Sequence, residues 1–211
     1  MRHYRPCPAV RFIYPRAVFR FATNGKEACL TFDDGPDPLS TPVILDILER
    51  HQIRAIFFCS GIQSEIYPDL MDMITARGHV TGNHGYRHLN GFRHFVKTFT
   101  DDVFKASAFT SSTIFRPPYG FLSPGQYFRL KKTFRIVLWD LMAYDFDRRF
   151  GKEEMLNVLG KKLRTGSIVV LHDKHTSRAV EILEDFIRFA EREGYQFVLP
   201  EFVRQGTLQP R

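Results

Sequence analysis

Leu30-Thr31-Phe32-Asp33-Asp34-Gly35-Pro36 is an apolar strand ending that delivers two adjacent carboxylates into a Gly-Pro turn. In a regular strand consecutive side chains point to opposite faces, so Asp33 and Asp34 address one site only if the strand ends there. Gly35 and Pro36 are the residues that end it. Two carboxylates so placed repel each other unless a metal or a cationic side chain sits between them. The remainder of the chain has to supply that partner.

Working outward, Glu27–Phe32 reads as a short strand. Pro42 opens a helix running towards Ile53, with Ser40 and Thr41 as cap candidates. Ala55–Cys59 is a continuous apolar run of the kind buried on both faces. Tyr67–Arg77 reads as a helix closed by Gly78, and Val80–Asn83 as a strand ending at a histidine cluster. Gly91–Phe109 is expected to be one helix, with Phe92, Phe95, Phe99, Val103 and Phe104 at spacings of three and four. Thr113–Phe115 and Ile136–Leu141 are expected strands, and Ser123-Pro124 starts a helix between them. Met155, Leu156, Leu159 and Leu163 mark a helix before Gly166. Ser167–Leu171 then forms a strand, Arg178–Arg192 a long amphipathic helix, and Phe197–Leu199 the last strand.

Strands alternating with helices over the whole length predict an α/β fold of parallel βαβ units. Polar clusters follow the apolar strands at Phe32, Asn83, Phe115 and Leu171, and Asp145 lies shortly beyond Leu141. In α/β barrels the C-terminal strand ends share one face, so these clusters are expected to converge.

Bulk properties set the outer bounds. A chain of 211 residues, 44% hydrophobic and 25% charged, is long enough for one core and has the composition of an ordinary globular protein. Its 21 phenylalanines are an aromatic payload suited mainly to a core. A net charge of +7 and a pI near 9.4 point to anionic surroundings, but the cations form no run and read as solvated surface. Cys7, Cys29 and Cys59 are odd in number with no CxxC pair, which excludes a disulfide framework and a cysteine zinc site. The first twenty residues are broken by Arg11, Arg16 and three prolines, and show neither a signal peptide nor a membrane anchor. On that ground a cytoplasmic location is expected, with the cell envelope as the alternative. No transmembrane segment and no nucleic-acid motif is expected, and the chain is read as a monomer.

His84 and His88 stand four residues apart, the spacing that brings two imidazoles to one side of a helical turn. Imidazoles with one carboxylate suit zinc, and a site with three protein ligands leaves room for water and substrate.

Thr31-Phe32-Asp33-Asp34-Gly35, His84-x3-His88, Arg116-Pro117-Pro118-Tyr119-Gly120, an aspartate after the Trp139 strand, and Leu171-His172-Asp173 occur in that order. This series resembles the ordered motifs of the polysaccharide deacetylases with a NodB-homology domain, carbohydrate esterase family four. The resemblance covers residues 27–200, leaving 1–26 as an irregular N-terminal segment and 201–211 as a tail. It implies a single distorted (β/α) barrel of about seven parallel strands. It also implies a divalent metal, usually Zn2+ with Co2+ as a substitute, held by Asp34, His84 and His88.

The roles implied for the other residues follow the same resemblance. Asp33 is the general base, and Arg116 pairs with it and orients it. The Tyr119 backbone N–H stabilises the oxyanion, a task that needs a fixed donor. His172 is the general acid, oriented by Asp145. Tyr119, Phe146, Leu171 and Trp139 are the expected substrate contacts, Leu171 as the wall of a pocket for an acetyl methyl group. The implied reaction is hydrolysis of an N-acetyl group on an N-acetylglucosamine-type sugar, in peptidoglycan, chitin oligomers or another glycan, with release of acetate.

Three positions depart from the family pattern: Gly85 for a Ser or Thr that steadies the loop, Met142 for an aspartate, and Phe146 for a tryptophan. None removes an expected ligand, base or acid. The alternatives are a catalytically silent carbohydrate-binding protein that keeps its metal, and a cytosolic amide hydrolase of the same superfamily. Retention of both Asp33 and His172 favours catalysis, because binding alone needs neither a base nor an acid.

Overall fold

From Ala28 to Asp33 every residue of the first strand is buried, as befits a strand hydrogen-bonded on both edges and covered on both faces. In the computed structural model, which describes residues 4–204, the first half of the chain runs α1 (Ala9–Ile13), β1 (Glu27–Asp33), α2 (Thr41–Arg50), β2 (Ile56–Cys59), α3 (Gly61–Ile66), α4 (Pro68–Ala76), β3 (Val80–Asn83), α5 (Val96–Thr110) and β4 (Ile114–Phe115). It continues through α6 (Pro124–Leu130), β5 (Arg135–Ile136), β6 (Leu141–Met142), α7 (Lys152–Lys162), β7 (Ser167–His172), α8 (Ala179–Arg192), β8 (Gln196–Phe197) and α9 (Glu201–Arg204). Short 3-10 turns at Gly91–Arg93 and Pro118–Gly120 lie on either side of α5 and β4.

Seven parallel strands in the order β5-β4-β3-β2-β1-β7-β6 curl into a half-barrel, with β8 beside the first residues of β1. Alternation along each strand divides the core. Leu30, Phe32, Phe57, Val169 and Leu171 face outward and pack with Ile44 and Leu45 of α2 and Ile182, Leu183 and Phe186 of α8. Cys29, Ile56, Phe58 and Ile168 form a separate interior cluster with Ile114 and Val137. The buried stripe of α8 follows the helical period expected from its sequence.

The expected strand Ile136–Leu141 is two strands. Its ends belong to opposite edges of the sheet, Ile136 pairing with β4 and Leu141 with β7, so the residues between must cross the open side. Val18 bridges Val137 there, and the Leu138 N–H donates to the Val18 carbonyl at 2.8 Å. The N-terminal segment, read as irregular, thus carries a short helix and closes the gap between the edges.

The single helix expected over Gly91–Phe109 is also divided. Asn90 Oδ1 accepts the Phe92 N–H at 3.0 Å, and Gln126 Nε2 donates to the carbonyls of Gly91 at 2.8 Å and His94 at 3.1 Å. Those carbonyls are thereby withheld from helical bonding, and α5 begins only at Val96. Phe92 and Phe95, expected in the buried stripe, stand in solvent. Helix α3, which the sequence reading did not anticipate, starts where Ser60 Oγ accepts the Gln63 N–H. Among the described residues no helix is long and apolar enough to cross a membrane.

Candidate active site

The first strand runs through Asp33, and Asp34 leaves it at a φ of 80°. This left-handed residue turns the second carboxylate to the same end of the barrel as the first. The turn is pinned by backbone bonds from Asp34 N to Phe58 O, Ser60 N to Gly35 O and Asp173 N to Asp33 O. Its inner wall is Asp173, fully buried, which accepts the hydroxyls of Ser40 and Thr41 at 2.6 Å each. The two residues expected to cap α2 therefore bind a carboxylate instead. Burial raises the Asp173 carboxyl to about 7, although both hydroxyls pull it down. A Cβ on Gly35 would lie 2.3 Å from Asp173 Oδ2, so only glycine fits the turn.

Asp33 and Asp34 have different partners. Arg116, at the end of β4 and 1% exposed, donates from Nη1 to Asp33 Oδ1 at 2.6 Å and to Thr31 Oγ1 at 2.7 Å. Its other nitrogens donate to the carbonyls of Val137 and Leu138, and its guanidinium lies over the Phe58 ring at 4.1 Å. A buried cation satisfied on every side is a rigid clamp on the carboxylate.

Asp34 faces the histidines. Its Oδ1 lies 3.0 Å from His88 Nε2 and 3.4 Å from His84 Nε2, yet this buried oxygen has no hydrogen-bond partner. His84 Nδ1 is 2.8 Å from the Arg116 carbonyl, which can only accept, so Nδ1 carries a proton and Nε2 is the ring atom turned to Asp34. Two imidazole nitrogens and a carboxylate oxygen that converge on one point are the donor set of a shared cation. Asp34, His84 and His88 each offer a ligand atom within 4.8 Å of the others, and two imidazoles with a carboxylate fit a divalent metal of zinc's type. Burial works to raise the Asp34 carboxyl, but His84 and His88 beside it, with His172 beyond, hold it well below the usual carboxylate range.

His84 and His88 meet through a loop, not the helical turn their spacing implied; Gly85 has a φ of 76° and His88 one of 57°. That loop hangs on two acceptors. Asn83 Oδ1 takes the Gly85 N–H at 2.8 Å, and buried Asp102 of α5 takes those of Tyr86 at 2.9 Å and Arg87 at 3.1 Å. Gly85 is thus the residue its left-handed backbone favours, and Asp102 supplies the rigidity expected from a Ser or Thr side chain.

At the end of β7, His172 Nδ1 is 2.9 Å from Asp145 Oδ1, and the His172 backbone N–H donates to Asp145 Oδ2 at 2.8 Å. Burial disfavours charge on this ring, but Asp145, then Asp34 and Asp33, outweigh it and raise its pKa to about 9. The bond to Asp145 fixes Nδ1–H, which leaves Nε2 as the proton donor.

Phe146 packs edge-on to His172 with ring centroids 4.8 Å apart, and Tyr119 packs similarly on His88 at 4.7 Å. Both rings are about half exposed. Trp139 lies under Gly120, where a Cβ would come within 2.4 Å of the indole. Leu171, expected to wall a substrate pocket, is fully buried in the outer core cluster. Strand alternation turns it away from His172 and gives Val170 the face that His172 uses.

Three residues at this centre were not anticipated. Asp173 stood in plain view beside His172. Asp102 had a weaker signal, an acid inside the buried stripe of α5. Lys174, whose Nζ reaches Asp34 Oδ2 at 2.9 Å, had none.

Residues 21–132 match the family described as polysaccharide deacetylase. The chain belongs to that family. The chain is thus a hydrolase of carbon–nitrogen bonds other than peptide bonds, within carbohydrate esterase family four. A peptidoglycan-N-acetylglucosamine deacetylase of Bacillus cereus is 31% identical over 184 residues, 83% of this chain and 86% of its own length. The crystal structure of the Bc1960 peptidoglycan N-acetylglucosamine deacetylase superposes with a TM-score of 0.80 at 29% identity, covering 87% of this chain and 90% of that one. A mutant of BA3943, a family-four pseudoenzyme with restored enzymatic activity, superposes at 0.77 with 26% identity over 87% of this chain and 69% of that one.

Proposed function

We propose that this chain is a metal-dependent deacetylase that removes the acetyl group from N-acetylglucosamine units of peptidoglycan or a closely related glycan. One observation carries the reading: the buried Asp34 Oδ1, facing two imidazole nitrogens without a hydrogen bond, stands beside a clamped carboxylate and an imidazole–carboxylate pair. Metal-assisted hydrolysis of an amide uses all three: a cation site, a base and an acid. The names of the two peptidoglycan relatives support the substrate class and action at the cell envelope.

Asp34, His84 and His88 would hold the metal, zinc by donor chemistry. Bound there, it would supply Lewis acidity and lower the pKa of a water. Asp33, held through Oδ1 by Arg116, takes the proton from the attacking water. The Tyr119 amide, at a residue with a φ of 60°, donates to the oxyanion. His172 Nε2 gives its proton to the departing amine, and Asp145 keeps the ring oriented and charged. Phe146 and Tyr119 present ring faces to the sugar. Residues 27–200 form the catalytic unit in this reading.

The test is acetate release from acetylated peptidoglycan fragments and chitooligosaccharides by metal-loaded protein. Release that depends on metal and vanishes in Asp33→Asn supports the proposal. Metal bound without release across that panel replaces it with a silent binding protein, and absence of metal binding removes the site itself.

A further inference from the structure

The positive charge of the chain is segregated in a way that its sequence order hides. No aspartate or glutamate occurs before Glu27, between Asp72 and Asp101, or between Asp102 and Asp140. The fold brings parts of these three stretches together. Tyr14, just after α1, donates its hydroxyl to the Leu122 carbonyl at 2.6 Å, and the Arg16 N–H donates to the Tyr127 hydroxyl of α6 at 2.9 Å. Gln126 of α6 holds the 91–94 turn through the carbonyls of Gly91 and His94. One face of the molecule is therefore built from α1, the 91–97 segment and α6. Its cations include Arg11, Arg16, Arg93, Arg129 and Lys132, all exposed, and Asp101, one turn further along α5, is paired with Lys97.

The same face carries phenylalanines that the core does not use. Phe12 is 88% exposed, Phe95 87%, Phe92 64%, Phe128 57% and Phe121 47%. Exposed apolar groups in this number mark a contact surface.

The geometry points to an anionic phospholipid bilayer as the partner of this face. Acyl chains accept protruding phenylalanines, and lipid phosphates match a rim of cations without carboxylates. Stacking on sugars or nucleobases requires open ring faces. Here Lys131 covers one face of the Phe128 ring at 4.2 Å and Phe92 and Phe121 turn towards each other at 5.4 Å with a 48° tilt, while Phe12 and Phe95 protrude almost wholly, as insertion among acyl chains requires. Phe121 follows Tyr119 by two residues in the chain, so docking of this face brings the candidate active site near the membrane.

Vesicle sedimentation tests this. The full chain should pellet with large unilamellar vesicles of phosphatidylglycerol and phosphatidylcholine, remain in solution with phosphatidylcholine alone, and be released by high salt. Lys131→Glu with Lys132→Glu should lower the partition coefficient at least about tenfold. Phe12→Ser with Phe95→Ser should lower it at least about tenfold as well. Both variants should keep the native melting temperature and acetate release from soluble oligosaccharides. Failure to pellet with anionic vesicles overturns the assignment, as does pelleting indifferent to the phenylalanines. So does preferential binding to single-stranded DNA or purified sacculi that the same substitutions weaken.

Discussion

Arg116 Nη1 and Asp33 Oδ1 lie 2.6 Å apart inside the barrel, joining the end of β4 to the end of β1. Removing one partner of such a pair leaves a buried charge uncompensated. Arg116→Met should destabilise the fold by about 3–5 kcal/mol, read by chemical denaturation. Arg116→Lys should rescue stability only partly and activity hardly at all, because one ammonium cannot reach Asp33, Thr31 and two carbonyls together.

Asp33 and Asp34, adjacent in sequence, should separate in their effects. Asp34→Asn removes a charged ligand and is expected to weaken metal affinity, measured by competition with a chelating dye. Asp33→Asn should bind metal as the native chain does and lose at least about a hundredfold in kcat, the usual scale of a general base. Equal loss of metal in both variants would refute the division of roles.

For His172 the sign follows from a pKa raised from 6.5 to about 9. The charged ring stabilises the native state fully below pH 6.5, and that contribution fades as pH rises through about 9. Activity that needs the acid form should fall over the alkaline limb of kcat/KM. A metal on Asp34 weakens that carboxylate's pull on the ring, so the loaded enzyme's limb should lie below 9. In Asp145→Asn the limb should move further down, since burial alone lowers the imidazole pKa.

Lys174 holds Asp34 Oδ2 while Oδ1 faces the histidines. Lys174→Ala should weaken metal affinity about 10–100-fold, as loss of an orienting partner does, with little change in melting temperature. An unchanged affinity would reduce Lys174 to a surface cation.

Asp102→Ala should leave the Tyr86 and Arg87 amides without their acceptor, costing about 1–3 kcal/mol and loosening His88. Asp102→Asn retains one acceptor oxygen and should retain most of the metal affinity. The comparison, by denaturation and metal titration, separates loop positioning from general stability.

The parallel α/β architecture and its helical faces were legible because periodicity of apolar residues is local: α8 and the buried run of β2 follow it directly. The ordered motifs likewise point to Asp33, Asp34, His84, His88, Arg116, Asp145 and His172, and the fold brings these residues to one end of the barrel. Local pattern failed where distant partners competed. Gln126 takes the carbonyls that would have extended α5 to Gly91, and two sheet edges divide Ile136–Leu141 between them.

By itself, then, the sequence determined the strand endings and the residue types gathered there, since hydrophobic period and turn chemistry act over a few residues. Which oxygen of each aspartate meets which partner follows from long-range packing. The tertiary structure alone turned Leu171 into the outer core, brought Asp102 and Lys174 to the site, and gathered three acid-free stretches on one face. Those outcomes depend on strand register and left-handed backbone at Asp34, Gly85 and His88, which are fixed by packing across the whole chain.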